Sequence, residues 1–244
     1  MGELSGKIAI VTGSSSGIGR AIAEGLARKG ATVVVHYARS ADKAQAVVAG
    51  IEAAGGRAIA LPAELGDVAA IRRLFAEASE RLGGLDIVVN NAGVADYKPL
   101  TAVTEQDFAA PFDVNARGTF FALQEAARRV REGGRIISIS TGATVGGSPY
   151  ASIYCGSKAA VEQFTRSLAK EIGGRNVTVN VVSPGFTDTE MLAQHPQFKA
   201  LGPSLSPFGR LGTPAEVADV VVFLAGDGAR WITGQNIQAG GGAA

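Results

Sequence analysis

Short apolar runs rich in Val and Ile alternate along the chain with longer stretches whose apolar positions return every three or four residues. The short runs predict strands at Lys7–Thr12, Thr32–Tyr37, Ala58–Leu61, Leu85–Asn90, Arg135–Ser140 and Val177–Val182, with a weaker one at Asn236–Ala239. They are apolar nearly throughout rather than at alternate positions, as strands covered on both faces of a parallel sheet are. The longer stretches predict helices at Gly17–Lys29, Ala41–Ala54, Val68–Leu82, Glu105–Arg131, Ser152–Ile172 and Pro214–Ala225. Thr104 precedes Glu105 as a cap, Thr213-Pro214 places Pro at a first helical position, and Gly30 follows Lys29 as a stop. Pro111 predicts that the fourth helix starts near it or is broken there.

Strand and helix alternate from end to end, which predicts an α/β fold, one doubly wound domain over residues 1–244. One stretch breaks the rhythm. Phe186–Gly212 follows a strand and holds His195 and several prolines. Ligands of open α/β sheets lie at the carboxyl ends of strands, so an irregular insertion there predicts a substrate lid.

Composition narrows the function classes. Of 244 residues 33 are Gly, 46% are apolar and the net charge is +1. Enough apolar material for a full core excludes a disordered chain, and the absence of a basic excess argues against nucleic-acid binding. Apolar runs such as Val220–Ala225 are too short to cross a bilayer. A single cysteine, Cys155, excludes an internal disulfide framework, and it forms no metal-ligand spacing with His36 and His195. The opening residues run almost directly into a strand, with no targeting pattern, so the expected location is the cytoplasm.

The first strand ends in Thr12-Gly-Ser-Ser-Ser-Gly-Ile-Gly19, which leads into a helix. Glycines there permit a tight turn and let backbone N–H groups approach a pyrophosphate, and the helix start adds partial positive charge. Gly13–Gly17 also fits the G-x-S-x-G elbow of hydrolases, but a first-strand position and two histidines in all speak against that class. At the end of the second strand, where an NAD site places a carboxylate, the chain reads His36-Tyr37-Ala38-Arg39-Ser40. A guanidinium and hydroxyls suit a 2′-phosphate, which favours NADP(H) over NAD(H).

Tyr154 and Lys158 stand four apart and share a helix face. A nearby ammonium stabilises a phenolate and predicts a lowered tyrosine pKa, suited to proton transfer. The ordered set of the glycine loop, Asn90-Asn91-Ala92-Gly93, the Tyr154–Lys158 pair and the turn Ser183–Thr189 closely resembles the short-chain dehydrogenase/reductase family. The likeness runs from about Lys7 to Gly241 and is nearest to the branch of carbonyl reductases that includes 3-oxoacyl-carrier-protein reductases.

That resemblance implies a Rossmann-type, seven-stranded parallel sheet and reversible reduction of a ketone or aldehyde. Tyr154 is then the acid/base, and Lys158 holds the nicotinamide ribose. Asn115 helps hold a water linking Lys158 to solvent. Thr141, with Ser140 before it, stands where the family usually has a serine that binds the carbonyl oxygen. Threonine keeps the hydroxyl and adds a methyl. The cofactor contacts implied are Gly13, Ser15, Ser16, Gly17, Ile18 and Gly19; His36, Tyr37, Ala38, Arg39 and Ser40; Glu64 and Leu65 near adenine; Asn91, Ala92 and Gly93; Tyr154 and Lys158; and Pro184, Gly185, Thr187 and Thr189. Asn90 and Ala92 are expected to line the adenine ribose and steady the central strand. Substrate contacts are expected at Val94, Thr141, Tyr150, Phe186 and Met191, with Tyr97, Thr144, Val145 and Leu192 in the same loops, an apolar or aromatic pocket. A carrier-protein partner calls for basic residues at the entrance; Arg175 fits, but Glu132 stands where a second cation is expected. That favours a free small-molecule carbonyl substrate. A cofactor-binding sensor without catalysis is the alternative of another class. Family members imply a homotetramer.

Overall fold

The computed structural model describes residues 2–243. Seven strands form one sheet: β1 Ile8–Val11, β2 Thr32–Tyr37, β3 Arg57–Pro62, β4 Leu85–Asn90, β5 Val130–Ile139, β6 Thr178–Pro184 and β7 Asn236–Ala239. Their order is β3-β2-β1-β4-β5-β6-β7, and every neighbouring pair is parallel. The seven predicted strands are all present, with boundaries moved by a residue or two except at β5. That strand begins at Val130, opposite Leu85, then shifts register before Arg135 meets Ile87.

Alternate residues of each strand enter two different cores. Ala9 and Val11 of β1 and Val33 and Val35 of β2 pack with Ile22 and Leu26 of α1 (Gly17–Arg28) and with Val47 and Ile51 of α2 (Ala41–Ala53). Ile8, Ile10 and Val34 face the other way, onto Ile71, Leu74 and Phe75 of α3 (Val68–Leu82). Burial on both faces is why the strands read as unbroken apolar runs. The chain leaves β1 toward β2 and β3, then returns to β4 on the other side of β1. A crevice opens at such a reversal, at the carboxyl ends of β1 and β4.

The predicted helix Glu105–Arg131 is a continuous rod in three parts. Thr104 caps α4 (Glu105–Pro111) in a reciprocal box with Asp107. A π-helical segment follows, Phe112–Gly118, and then α5, Thr119–Arg129. Pro111 thus neither starts nor breaks the rod. It lacks the N–H that a tight turn needs, and the helix widens at the next residue instead. Gly118 ends the wide turn against the chain after β3, where a Cβ would lie 2.5 Å from the Leu65 carbonyl oxygen.

After β5 come a short helix, α6 (Ala143–Gly146), and the long α7 (Ser152–Ile172). The stretch Phe186–Gly212 is not irregular as expected. It holds α8 (Glu190–Ala193), capped by Thr189, and α9 (Pro196–Leu205), which Pro196 opens at its first position. The last helix, α10 (Pro214–Ala225), has the predicted Pro start and a Thr213–Glu216 capping box. Among the described residues no helix is long and apolar enough to cross a membrane.

Candidate active site

The glycine loop and the fourth strand are pinned to each other. Thr12 Oγ1 accepts the backbone N–H groups of Asn91 (2.9 Å) and Ala92 (3.0 Å), while the Asn91 amide donates to the Thr12 and Gly13 carbonyls. Gly13 has φ 63°, and a Cβ on it would lie 2.8 Å from Ala92 Cα. A Cβ on Gly19 would lie 2.4 Å from both Asn91 Nδ2 and the Gly13 oxygen. No side chain fits at either position, so the spacing of these glycines records how tightly β1 and β4 close behind the loop. Ser16, at the N-cap of α1, makes no side-chain capping bond, which leaves first-turn N–H groups of the helix without that partner.

His36 lines this end of the crevice with both ring nitrogens engaged. Gly13 N–H donates to Nδ1 at 2.9 Å, so Nε2 carries the proton and donates to the Ala63 carbonyl at 3.0 Å. Burial pulls its pKa below the ordinary value, although the Ala63 bond and the charge of Glu64 oppose this. A neutral His36 braces the loop, and the charge of this corner comes from Arg39, which lies 3.5 Å from Glu64 with its side chain exposed. Lys43 at the start of α2 pairs with Glu190 of α8 at 2.7 Å, tying the edge of the cofactor end to the segment after β6.

At the other end, α7 presents Tyr154 and Lys158 beside Thr141, which follows β5. Lys158 is buried, and its ammonium donates to the Ile139 carbonyl at 2.9 Å. Burial pulls its pKa down to about 8. Tyr154 departs from expectation. Removal from bulk water pushes its hydroxyl well above the ordinary range; Tyr97 and Cys155 add to the rise, and the neighbouring Thr141 hydroxyl opposes it. The lowering by Lys158 that the spacing predicts is not among the influences on Tyr154, and desolvation governs both groups.

The π-helical segment seats Asn115. Its Oδ1 accepts Val94 N–H at 2.8 Å, and its Nδ2 donates to the Val94 carbonyl (2.8 Å) and to Ser157 Oγ (3.0 Å). Both amide hydrogens of the side chain are thus engaged, and Oδ1 accepts one bond. Gly93 lies between the two groups: a Cβ there would be 3.0 Å from Lys158 Nζ and 3.1 Å from Asn115 Oδ1.

One cleft of about 950 Å³ joins both ends, and every cofactor contact named from the sequence lines it except Asn90, which is buried at the end of β4; Val94, Thr141, Tyr150, Phe186 and Met191 line it too. Asn115 stands behind the wall rather than in it. Thr144 turns away to Glu162, and Val145 projects outward with 62% exposure. The sequence reading passed over Phe198, Leu201 and Leu205, which line the cleft from α9; their spacing along one helix face was the available signal. His195 and Phe198 lie 4.6 and 4.5 Å from Tyr97, ring centre to ring centre, and Tyr97 lies 6.0 Å from Tyr154. An acid-capable hydroxyl, a buried ammonium and a second hydroxyl thus converge under an aromatic wall, beside a loop shaped for a pyrophosphate. Arg175 is not at the entrance. Its guanidinium donates to the Ala127 and Val130 carbonyls, where α5 meets β5.

Known proteins share this architecture. The family described as Enoyl-(Acyl carrier protein) reductase matches residues 13–244. Versicolorin reductase 1 of Aspergillus parasiticus is 44% identical over 255 residues, covering 99% of this chain and 97% of that protein. A hydroxynaphthalene reductase-like protein of Metarhizium majus is 42% identical over 255 residues, covering 98% and 96%. The crystal structure of the angucycline C-6 ketoreductase LanV with bound NADP superposes with a TM-score of 0.95 at 46% identity, covering 99% of this chain and 97% of that one. With the fold, the ordered motifs and near full-length identity in agreement, the chain belongs to the short-chain dehydrogenase/reductase family.

Proposed function

We propose that the protein is an NADP(H)-dependent ketoreductase that reversibly reduces a carbonyl of an apolar, aromatic ketone. One observation carries the reading: Tyr154, Thr141 and Lys158 converge in the same cleft as the glycine loop. The cradle fits a dinucleotide. Gly13 and Gly19 leave no room for side chains, the first turn of α1 offers N–H groups, and Arg39 supplies a cation for a 2′-phosphate. Relatives crystallised with NADP, LanV among them, support the same choice.

Bound there, the nicotinamide supplies the hydride. The protein's own groups manage the oxygen and its proton. Tyr154 donates its proton to the carbonyl oxygen as charge develops, and Thr141 holds that oxygen by its hydroxyl. Lys158 keeps positive charge beneath the site and binds the ribose. Asn115 fixes Val94 and Ser157, and so the floor between β4 and α7. The stretch Phe186–Gly212 serves as a lid, through α9, over the substrate end.

An aromatic substrate follows from the wall of Tyr97, Tyr150, Phe186, His195 and Phe198, and from relatives named for reducing versicolorin, a hydroxynaphthalene and an angucycline. With NADPH absorbance as the readout, 1-tetralone is expected to show a kcat/KM at least about tenfold above that of 2-butanone, because a fused ring buries more apolar area. NADPH binding without turnover of any ketone would favour the non-catalytic sensor. The carrier-protein reading loses its best cation, since Arg175 is held by backbone carbonyls. For the cofactor, Arg39→Ala is expected to weaken NADPH binding about tenfold and leave NADH within about twofold, as loss of one charge-assisted phosphate contact does. An unchanged preference in fluorescence titrations would remove Arg39 from phosphate recognition.

A further inference from the structure

We propose that Glu162 is a positioning residue for carbonyl reduction: one of its carboxylate oxygens clamps the turn that presents Thr141 to the reacting oxygen. The inference rests on the ketoreductase reading. Along α7, Tyr154, Lys158 and Glu162 recur every four residues and share a face. Glu162 Oε1 accepts Ser140 Oγ–H at 2.6 Å and Thr144 Oγ1–H at 2.6 Å. These are short, charge-assisted bonds. Each hydroxyl has one proton, and the competing carbonyl contacts are longer, 3.5 Å from Ser140 to Lys158 and 2.9 Å from Thr144 to Thr141.

The two hydroxyls flank Thr141. Ser140 is fixed to the sheet through its N–H, which donates to Val182 at 2.9 Å. Thr144 sits in α6, four residues long and too short to hold its own shape. Thr141 itself is loosely held: its Oγ1 accepts only a 3.3 Å bond from Ala143 N–H, and the same side chain must serve Tyr154. A β-branched side chain turns with its backbone, so the turn decides where the hydroxyl points. Gly142 N–H donates to the Pro184 carbonyl at 2.8 Å just after Thr141, and Glu162 ties the two hydroxyls on either side of that anchor to one oxygen. Its carboxylate meets this turn through the two hydroxyl bonds.

Kinetics on the purified full chain with NADPH and 1-tetralone test this. Glu162→Ala is expected to lower kcat about 10- to 100-fold, with the NADPH Kd and ketone KM within about twofold, since a misplacement near 1 Å has effects of that size. Glu162→Gln, whose amide oxygen still accepts both hydroxyls, should stay within about threefold of wild type, and Thr144→Val should lose about fivefold. In a Thr141→Ala background, adding Glu162→Ala should leave kcat unchanged, because the clamp acts through Thr141. If Glu162→Ala does not fold, the same cycle with Thr144→Val decides. Multiplying losses in either cycle, Glu162→Gln as slow as Glu162→Ala, or Glu162→Ala at wild-type kcat would each overturn the proposal. A wild-type protein that binds NADPH and turns over no ketone sinks the ketoreductase reading itself, a result separate from all of these.

Discussion

Replacing Tyr154 by Phe is expected to lower ketone turnover about a thousandfold and leave the NADPH Kd within about twofold. The substitution removes one oxygen and keeps the ring, so the packing against Tyr97 at 6.0 Å persists. What disappears is the hydroxyl that the proposed mechanism uses as proton donor. Burial holds the Tyr154 hydroxyl protonated well beyond neutral pH, so it arrives at the reaction as an acid. Single-turnover measurement of NADPH oxidation separates this step from product release. A Phe variant that turns over near the wild-type rate would remove Tyr154 from the chemistry.

The second large effect concerns Lys158 and has two signs. Lys158→Met is expected to lower turnover at least about a hundredfold, and to raise the stability of the cofactor-free protein at pH 7 by up to about 3 kcal/mol. The ammonium has a folded-state pKa of about 8 against an ordinary value of 10.5. The unfolded chain therefore binds this proton more tightly. Between pH 8 and 10.5 the unfolded state carries more protons, so stability rises with pH over that window, and below pH 8 the whole penalty is present. Methionine keeps the bulk of the stem and removes the buried charge. Urea unfolding of both proteins should show the variant ahead at pH 7 and the gap closing toward pH 10.5. A variant no more stable than wild type at pH 7 would mean that the carbonyl of Ile139 compensates the buried ammonium in full. Wild-type ketone reduction should also decline as pH rises through about 8, where Lys158 sheds its charge, while the variant stays low and flat.

The frame was legible because its causes are local to the chain. Strands buried on both faces must be mostly apolar; Ile8–Val11 is so throughout, and Leu85–Asn90 is so apart from the buried Asp86 and Asn90 near its ends. Gly13 and Gly19 are legible for a related reason, since any Cβ there would clash, and Asn91 is held by its amide bonds to the Thr12 and Gly13 carbonyls. What stayed hidden depends on neighbours distant in sequence. The hydrophobic spacing of Glu105–Arg131 contains no sign of a π-helical turn, and Pro111 pointed to a break that widening made unnecessary. Thr144 looked like a pocket residue until Glu162, eighteen positions later, took its hydroxyl. His36 read as part of the phosphate corner, and its brace between Gly13 and Ala63 emerges only when β2 lies between β1 and β3. The Tyr154–Lys158 spacing places both side chains in the cleft, while the desolvation that dominates both groups is not written in a spacing of four.

The wide turn at Phe112–Gly118 leaves the rod with a permanent counting offset. Side chains before it and after it obey the same rotation of about 100° per residue, but their phases differ by one position. Loss of any single residue there would let the rod relax into an ordinary helix and swing the Asn115 amide off Val94 and Ser157. Point substitutions in this segment away from Asn115 and Gly118 are thus a milder change than a one-residue shortening, even one that discards an exposed side chain far from any reacting atom.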